Sequence, residues 1–198
     1  MHCLSLRLPN KMNDLFAELV SGDDERAENA IPAIVDLGVA AIPTLLDLSR
    51  SPDSDLRWWA IRALAASPHT QTLELIPFLS DSNPEVRAAA ALALSHHPGD
   101  EALPALTQTL RDSDPLTAGL AANALVKIGK AAVPNLIAAA QDGEAGIRIL
   151  ALRALSELRD HRAIPVMMKC IQEESAVLQY WAQLGLERLC LDMVYIKP

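Results

Sequence analysis

A near-fixed period of 30 or 31 residues runs through the chain and restricts its fold more than any other feature. A small residue recurs at this interval, and an aliphatic residue follows each copy four positions later. The small residues are Ala30, Ala60, Ala90, Ala121, Ala151 and Ala182, and the aliphatic residues are Ile34, Leu64, Leu94, Leu125, Leu155 and Leu186. Repetition at such a period is typical of proteins built from stacked structural units. We therefore expect six repeats, each too small to bury a core of its own.

The composition indicates that these repeats are helical. Apolar residues make up 51% of the 198 residues, whereas aromatic residues make up only 4%. Closely packed helices rich in alanine and leucine have such a composition, while sheets need more β-branched and aromatic side chains. We predict an all-α solenoid of about six helix pairs. Residues 1–12 are expected to form an irregular lead-in and residues 13–198 a single solenoid, whose first helix begins at Asn13 or Asp14.

Prolines mark the start of the first helix in most repeats. Each lies 21 positions before the aliphatic residue of its own repeat, in a first turn where its missing N–H is not needed. These prolines are Pro43, Pro104, Pro134 and Pro165. Pro77 departs from the rule, because it lies only 17 positions before Leu94 and thus one turn inside the predicted helix. We expect that helix to be kinked at Pro77 or to start late.

Carboxylates cluster in the turns between the two helices of a repeat. Asp53 and Asp55 form one such pair, and Asp112 and Asp114 form another. A carboxylate just before a helix accepts hydrogen bonds from its free N–H groups and interacts favourably with its dipole. The competing interpretation, a calcium site, requires a twelve-residue loop with a terminal glutamate, and the sequence contains no complete loop of this kind. We predict helix capping and no bound metal.

Three segments, residues 53–64, 83–94 and 142–155, resemble the HEAT-like repeats first noticed in phycobilin lyases. The resemblance extends over about residues 13–190. It implies that the helix pairs stack into a right-handed superhelix, and that Arg57, Arg87 and Arg148 pair with turn carboxylates of neighbouring repeats. The family includes bilin lyases, deoxyhypusine hydroxylases, HEAT-like alkylpurine DNA glycosylases and protein-binding scaffolds, so the fold alone does not determine the function.

Several functional classes are disfavoured by the sequence. The hydroxylases hold iron through His-Glu dipeptides, and this chain contains none. The net charge of −8 disfavours the basic surface that nucleic-acid binding needs. No uninterrupted apolar run of about 20 residues indicates a membrane helix, and three separated cysteines without a CxxC pair suit a reducing compartment. We therefore expect a cytoplasmic protein with no membrane partner, and we identify no catalytic residues and no cofactor.

On the second helix of each repeat, the face opposite the small residue is unexpectedly apolar. Related repeat proteins turn this helix toward a concave groove, so the resemblance implies a groove here. Exposed apolar stripes commonly mark interaction sites, and Trp, Tyr and Arg are frequent anchors. The residues predicted to line the groove are Trp58, Ile61, Arg62, Leu92, Ile149, Leu152, Arg153, Tyr180 and Leu184. The competing interpretations are burial between helices and a seam between two copies of the chain.

These features favour a scaffold or adaptor that binds another protein or a peptide segment. In this hypothesis, apolar side chains of the partner pack on Trp58, Leu92 and Tyr180. Its carboxylates meet Arg62 and Arg153. The resemblance supports a second hypothesis, a bilin lyase-like or tetrapyrrole-handling protein. In this hypothesis a bilin stacks on Trp58 or Trp181, with its propionates near Arg62 or Arg153. A nucleic-acid-handling HEAT-like protein is a third hypothesis, disfavoured by the acidic charge.

Overall fold

The structure of the protein, a computed structural model, describes residues 8–189. Twelve α-helices and no β-strand lie within this range. The helices follow one another as six pairs, so the predicted all-α architecture is confirmed. The chain divides into two compact units, unit 1 (Met1–Ala93) and unit 2 (Leu94–Pro198), and the boundary falls inside the sixth helix.

Unit 1 contains the first five helices and most of the sixth. They are α1 (Leu8–Leu19), α2 (Asp24–Val35), α3 (Ile42–Leu48), α4 (Ser54–Ala66), α5 (Thr72–Leu75) and α6 (Pro84–His96). Because α1 begins at Leu8, the lead-in predicted over residues 1–12 is wrong from Leu8 onward, and residues 1–7 lie outside the described range. Pro9 fits in α1 because it lies in the first turn, where its missing N–H would have had no helical partner.

Unit 2 contains the C-terminal end of α6 and the remaining three pairs of helices. They are α7 (Leu103–Thr109), α8 (Pro115–Ile128), α9 (Val133–Asp142), α10 (Ala145–Leu158), α11 (Ile164–Ile171) and α12 (Ala176–Arg188). The second helices are neighbours, since α8 packs against α10 and α10 packs against α12. A short 3-10 turn precedes each first helix of unit 2, and the predicted proline lies in the first turn of that helix.

The stretch Pro115–Asp142 is long and apolar enough to cross a membrane by composition. It is not one straight helix, because α8 ends at Ile128 and a 3-10 turn over Gly129–Ala132 separates it from α9. Gly129 makes this change of direction possible, with φ +87° and ψ −137°, a conformation that side chains with a Cβ rarely adopt. Within unit 2, α8 packs against α7 and α10, and α9 packs against α10. Both helices supply buried residues to the core of this unit.

We expected the helix to be kinked at Pro77 or to start late; it starts at Thr72 and is interrupted at Pro77. The α-helix α5 ends at Leu75, and a 3-10 helix over Ile76–Ser80 continues the chain with Pro77 in its first turn. A proline inside an α-helix removes a backbone hydrogen bond and clashes with the carbonyl four residues earlier, here that of Leu73. The change to 3-10 geometry avoids this clash and leaves the third repeat with a short first helix.

The repeated small and aliphatic residues form the core of each unit. Ala60 and Leu64 are fully buried in unit 1, and Ala121 and Leu125 are fully buried in unit 2. Alanine at the small position lets side chains of adjacent helices pack closely without voids. The turn carboxylates act as predicted for Asp53 and Asp114, which are N-cap residues that accept hydrogen bonds from backbone N–H groups of α4 and α8.

Arginine–carboxylate pairs tie consecutive repeats together within each unit, as the resemblance implied for Arg57 and Arg148. In unit 1, Arg57 Nη2 donates to Asp81 Oδ1 at 2.7 Å and Arg57 Nε donates to Oδ2 at 2.8 Å. In unit 2, Arg148 Nη2 donates to Glu173 Oε1 at 2.6 Å. Arg87 donates to the Asp81 carbonyl oxygen at 2.9 Å, and its pairing with a turn carboxylate stays a prediction.

The Arg57–Asp81 pair is shielded from water, because only 12% and 10% of the two side chains are exposed. Burial by itself would raise the pKa of Asp81. The hydrogen bonds from Arg57 and from the Asn83 backbone N–H outweigh this effect, so the pKa of Asp81 lies below its ordinary value of 3.8. Asp81 is therefore held as an anion by groups from two repeats.

Candidate binding surfaces

Two of the nine residues predicted to line a groove are core residues instead. Ile61 and Leu152 are fully buried, and the prediction that they form exposed surface is wrong. The reason is their angular position on the helix, because each directly follows the small residue of its repeat and stands about 100° away from it. That direction is the flank of the helix rather than its opposite face, so these side chains lie in the packed interior.

The truly opposite positions lie two residues before and two residues after the small residue, about 160° away on either side. In unit 1 these positions include Trp58, Arg62 and Leu92; Leu92 is 43% exposed, and the other two side chains are partly buried. In unit 2 they include the four remaining predicted groove residues. We define the unit 2 face by these residues, which are Ile149, Arg153, Tyr180 and Leu184.

Arg62 of unit 1 has an acidic partner that the sequence did not reveal. Its Nη2 donates to Glu28 Oε1 at 2.7 Å, across 34 residues of sequence, and both side chains are more than one third exposed. The positive charge of Arg62 is thus largely compensated within unit 1. This finding weakens the expectation that Arg62 receives a carboxylate from a partner.

Arg153 of unit 2 is held only by neutral acceptors. Its Nη2 donates to Asn123 Oδ1 at 2.8 Å and to the Gly119 carbonyl oxygen at 3.4 Å, both on the neighbouring helix α8. No carboxylate within residues 8–189 forms an ion pair with it. The guanidinium is therefore held in place, and its positive charge is not neutralised by a carboxylate of the described chain.

Tyr180 and Leu184 lie on the adjacent helix α12, one turn apart. Tyr180 is 59% exposed, and its ring meets that of Trp181 edge-on with 5.2 Å between the ring centroids. Leu184 and Ile149 are half-buried. The unit 2 face thus combines an exposed aromatic ring, two partly accessible aliphatic side chains and one uncompensated guanidinium.

Unit 1 contains an aromatic cavity of about 350 Å³ that sequence reasoning missed. Its walls are the indoles of Trp58 and Trp59, whose ring centroids are 4.8 Å apart with the planes perpendicular. Three carboxylates complete the lining, from Asp24, Asp55 and Glu85. We call this the Trp–acid cavity.

One position of the repeat is acidic beside this cavity and uncharged in unit 2, and this difference is visible in the sequence. Asp55 and Glu85 both lie five positions before the small residue of their repeat, in the first turn of α4 and α6. In unit 2 the same position carries Leu116, Gly146 and Val177. The first turn of the second helix therefore changes from acidic to uncharged between the units.

A second cavity, of about 460 Å³, lies in unit 2 between the starts of α8 and α10. Its lining is mainly apolar and includes Ile149, which also belongs to the unit 2 face. The remaining lining residues are Leu110, Arg111, Asp112, Pro115, Ala118, Glu144, Gly146, Ile147 and Leu150. The cavity offers space beside the unit 2 face for an apolar group of a ligand.

The described residues show no group that would hold a metal ion and no accessible thiol. Residues 8–189 contain no cluster of His, Cys, Asp and Glu that would hold a metal ion. The Cys170 thiol is fully buried, and burial raises its pKa although Arg148 Nη2 donates to the Sγ atom at 3.5 Å. A neutral, inaccessible thiol is a poor nucleophile.

The helix pairs, their period and the ladder of buried alanines define an α-helical repeat protein. The family model for HEAT repeats matches residues 72–133 and 108–187, which together span more than half of the chain. The chain belongs to the HEAT-repeat family.

Three curated relatives match parts of the chain. A phycocyanobilin lyase subunit beta from Nostoc sp. is 34% identical over 83 residues, which cover 42% of this chain and 40% of that protein. The bilin biosynthesis protein RpcF from Synechococcus sp. is 30% identical over 38% of this chain and 36% of its own length. A phycobilisome maturation protein from Synechococcus elongatus is 31% identical over 52% of this chain and 50% of its own length. The chain therefore spans half or less of these relatives.

Solved structures share the fold over nearly the whole chain. An engineered protein superposes with a TM-score of 0.53 at 24% identity, covering 91% of this chain and 97% of that one. Human deoxyhypusine hydroxylase superposes with a TM-score of 0.54 at 16% identity, covering 90% and 96%. At such identities the likeness extends to the fold alone, which is that of a helical repeat solenoid.

Proposed function

We propose that this HEAT-repeat protein is a scaffold that binds a partner protein through the unit 2 face. The observation that carries the proposal is Arg153 on α10, a guanidinium held by neutral acceptors on α8 and without a carboxylate partner in the described chain. The helix α12, which packs against α10, carries the exposed Tyr180. Tyrosine and arginine are the residue types that most often dominate binding energy at protein interfaces.

The face is suited to recognition because little ordering is needed on binding. Arg153 is already fixed by Asn123, and the Tyr180 ring rests against Trp181, so few rotamers are lost when a partner docks. A partner segment that carries an apolar side chain beside a carboxylate would cover Leu184 and Ile149 and pair its charge with Arg153. The cavity next to Ile149 provides further apolar contact.

The test is affinity capture from lysate of the native host, read by mass spectrometry. Wild type is compared with Tyr180→Ala and Arg153→Gln. Matched controls are Val39→Ala, at a side chain that is 66% exposed in unit 1, and Lys127→Gln, which removes an exposed positive charge from unit 2. Partners lost with the first two variants and kept by both controls support the proposal. Identical partner sets for all variants refute it.

A second candidate function is bilin handling, favoured by the names of two curated relatives, a phycocyanobilin lyase subunit and a bilin biosynthesis protein. Of the residues that the resemblance suggested for a bilin, the pair Trp181 and Arg153 is better suited than Trp58 and Arg62. Carboxylates surround Trp58 and repel propionates, and Glu28 compensates Arg62. On α10 and α12, by contrast, Arg153 offers an uncompensated charge to a propionate while Trp181 and Tyr180 offer aromatic surface.

Absorbance titration with phycocyanobilin tests this candidate. Binding in a fixed conformation should change the visible spectrum, and Arg153→Gln should weaken the change while Lys127→Gln preserves it. A spectrum that is the sum of free bilin and protein would rule the candidate out. Gel filtration of wild type and Tyr180→Ala in parallel identifies the remaining occupant of the face, a second copy of the chain, by a shift in apparent mass.

A further inference from the structure

We infer that the Trp–acid cavity of unit 1 is a second binding site, which takes an arginine side chain from an extended segment of a partner protein. The cavity is lined by Trp58, Trp59, Asp24, Asp55 and Glu85, all within unit 1. It shares no residue with the unit 2 face.

The three carboxylates of the cavity have no positive partner inside the described chain. The arginines of α2 and α4 are engaged by other acids: Arg26 by Glu18 at 2.6 Å, Arg57 by Asp81 at 2.7 Å and Arg62 by Glu28 at 2.7 Å. No ion pair within residues 8–189 includes the carboxylates of the cavity. Like charges gathered without a counter-ion attract a cation from solution.

The fold does not require acids at these places. A carboxylate in the first helical turn is favoured by the helix dipole, which offers a structural reason for its presence. However, the position of Asp55 and Glu85 is occupied in unit 2 by Leu116, Gly146 and Val177, and the second helices form there equally well. The acids of unit 1 are therefore available to bind a ligand. They lie beside two indoles rather than on a wholly polar surface.

The geometry favours an organic cation over a metal ion. The cavity carboxylates belong to no cluster that would hold a metal within the described chain, so they are too dispersed to coordinate one ion. A guanidinium is planar and carries five N–H donors, which allows it to reach separate carboxylates while its face rests on an indole. Trp58 and Trp59 both line the cavity, and cation–π stacking places a guanidinium over the face of such an indole ring.

The size of the cavity fits this occupant. A volume of about 350 Å³ is at the low end of small-molecule sites. It admits one long side chain and excludes a folded domain. An extended segment would therefore insert a single arginine, and flanking residues would remain outside. Arginine should bind more tightly than lysine, because an ammonium lacks the planar stacking face and has only three donors.

The test uses fluorescein-labelled ten-residue peptides that alternate glycine with arginine, lysine or glutamate, titrated against the full chain and read by anisotropy. The arginine peptide should bind at least about threefold more tightly than the lysine peptide, and the glutamate peptide should not bind. Asp55→Asn/Glu85→Gln should weaken arginine-peptide binding about tenfold or more. The matched control Asp14→Asn/Asp36→Asn removes the same charge from exposed positions of unit 1 outside the cavity and should change binding by less than about twofold.

Indole N–H signals in a proton–nitrogen correlation spectrum provide the site-specific readout. The arginine peptide should shift the signals of Trp58 and Trp59 and leave that of Trp181 in place. Equal losses for the cavity and control variants would show that only net charge matters and would overturn the inference, as would failure of wild type to bind the arginine peptide. Tyr180→Ala should bind this peptide like wild type. The peptide assay therefore tests the Trp–acid cavity independently of the unit 2 face.

Discussion

Replacing Asp81 by asparagine should destabilise the protein by about 2–4 kcal/mol. Asp81 accepts two hydrogen bonds from Arg57 at 2.7 and 2.8 Å, and a third from the Asn83 backbone N–H at 2.8 Å. Asparagine keeps the shape but loses the charge, and its amide group would present N–H donors toward the donors of Arg57. Removal of one partner from a buried ion pair costs about 3–5 kcal/mol, and the remaining exposure of about one tenth justifies the lower range.

Glu28→Gln is the matched comparison, because it removes a carboxylate from another inter-repeat arginine pair in the same unit. Here Arg62 and Glu28 are 38% and 51% exposed, so water and salt screen the interaction. Exposed pairs of this kind contribute about 0.2–1 kcal/mol. The two substitutions therefore differ in burial and hardly in chemistry.

Urea unfolding followed by far-ultraviolet circular dichroism at pH 7 measures both changes. The midpoint should fall clearly for Asp81→Asn and hardly for Glu28→Gln, with unchanged dependence on urea concentration. The double variant Arg57→Met/Asp81→Asn should recover part of the loss, because no buried charge is left unpaired. Equal losses for the two single variants, or no recovery in the double variant, would refute the role assigned to burial.

Three further changes follow from the backbone and the second ion pair. Gly119→Ala should stabilise the protein by about 0.5–1 kcal/mol in thermal unfolding, because Gly119 lies inside α8 and an added Cβ meets no atom within 4 Å. Gly129→Ala should instead lower the melting temperature by the equivalent of about 1–3 kcal/mol, because φ is +87° there. The Arg148 guanidinium lowers the pKa of Glu173 below its ordinary value of 4.5, so the pair stabilises the folded state above that pH and loses this contribution as pH falls through the lowered pKa. Urea midpoints between pH 7 and pH 3 should therefore fall less steeply for Glu173→Gln than for wild type; identical slopes would contradict this assignment.

The repeat architecture was predictable because its causes are local in sequence. The recurrence of Ala60 and Leu64 identifies the buried side of a helix, and Pro77 breaks α5 through its own chemistry. The start of α1 at Leu8 was missed, since the repeated residues that identify the later helices do not occur there. Local signals thus predict the helices well and their ends less reliably.

The candidate sites depended on contacts between repeats, which the sequence does not encode locally. The pairing of Arg62 with Glu28 joins residues 34 positions apart, and the burial of Ile61 and Leu152 depends on how neighbouring helices cover a flank. The same applies to the Trp–acid cavity, whose acids come from three successive repeats. A helical wheel treats each helix alone, so it identifies the opposite face but not the neighbours that close the sides.

The spacing of the two partly buried ion pairs, Arg57–Asp81 and Arg148–Glu173, bears on how such a chain can evolve. Arg57 and Asp81 are 24 residues apart, and Arg148 and Glu173 are 25 apart, so each pair spans less than one period of 30 or 31. Recombination can duplicate or delete one whole repeat. In repeats that carry both the arginine and the carboxylate, such a change keeps the sequence distance between the two residues. An insertion of any other length between the arginine and the carboxylate would leave a partly buried charge without its partner. The number of repeats is therefore free to change between descendants, while the length of a repeat is held nearly constant by electrostatics.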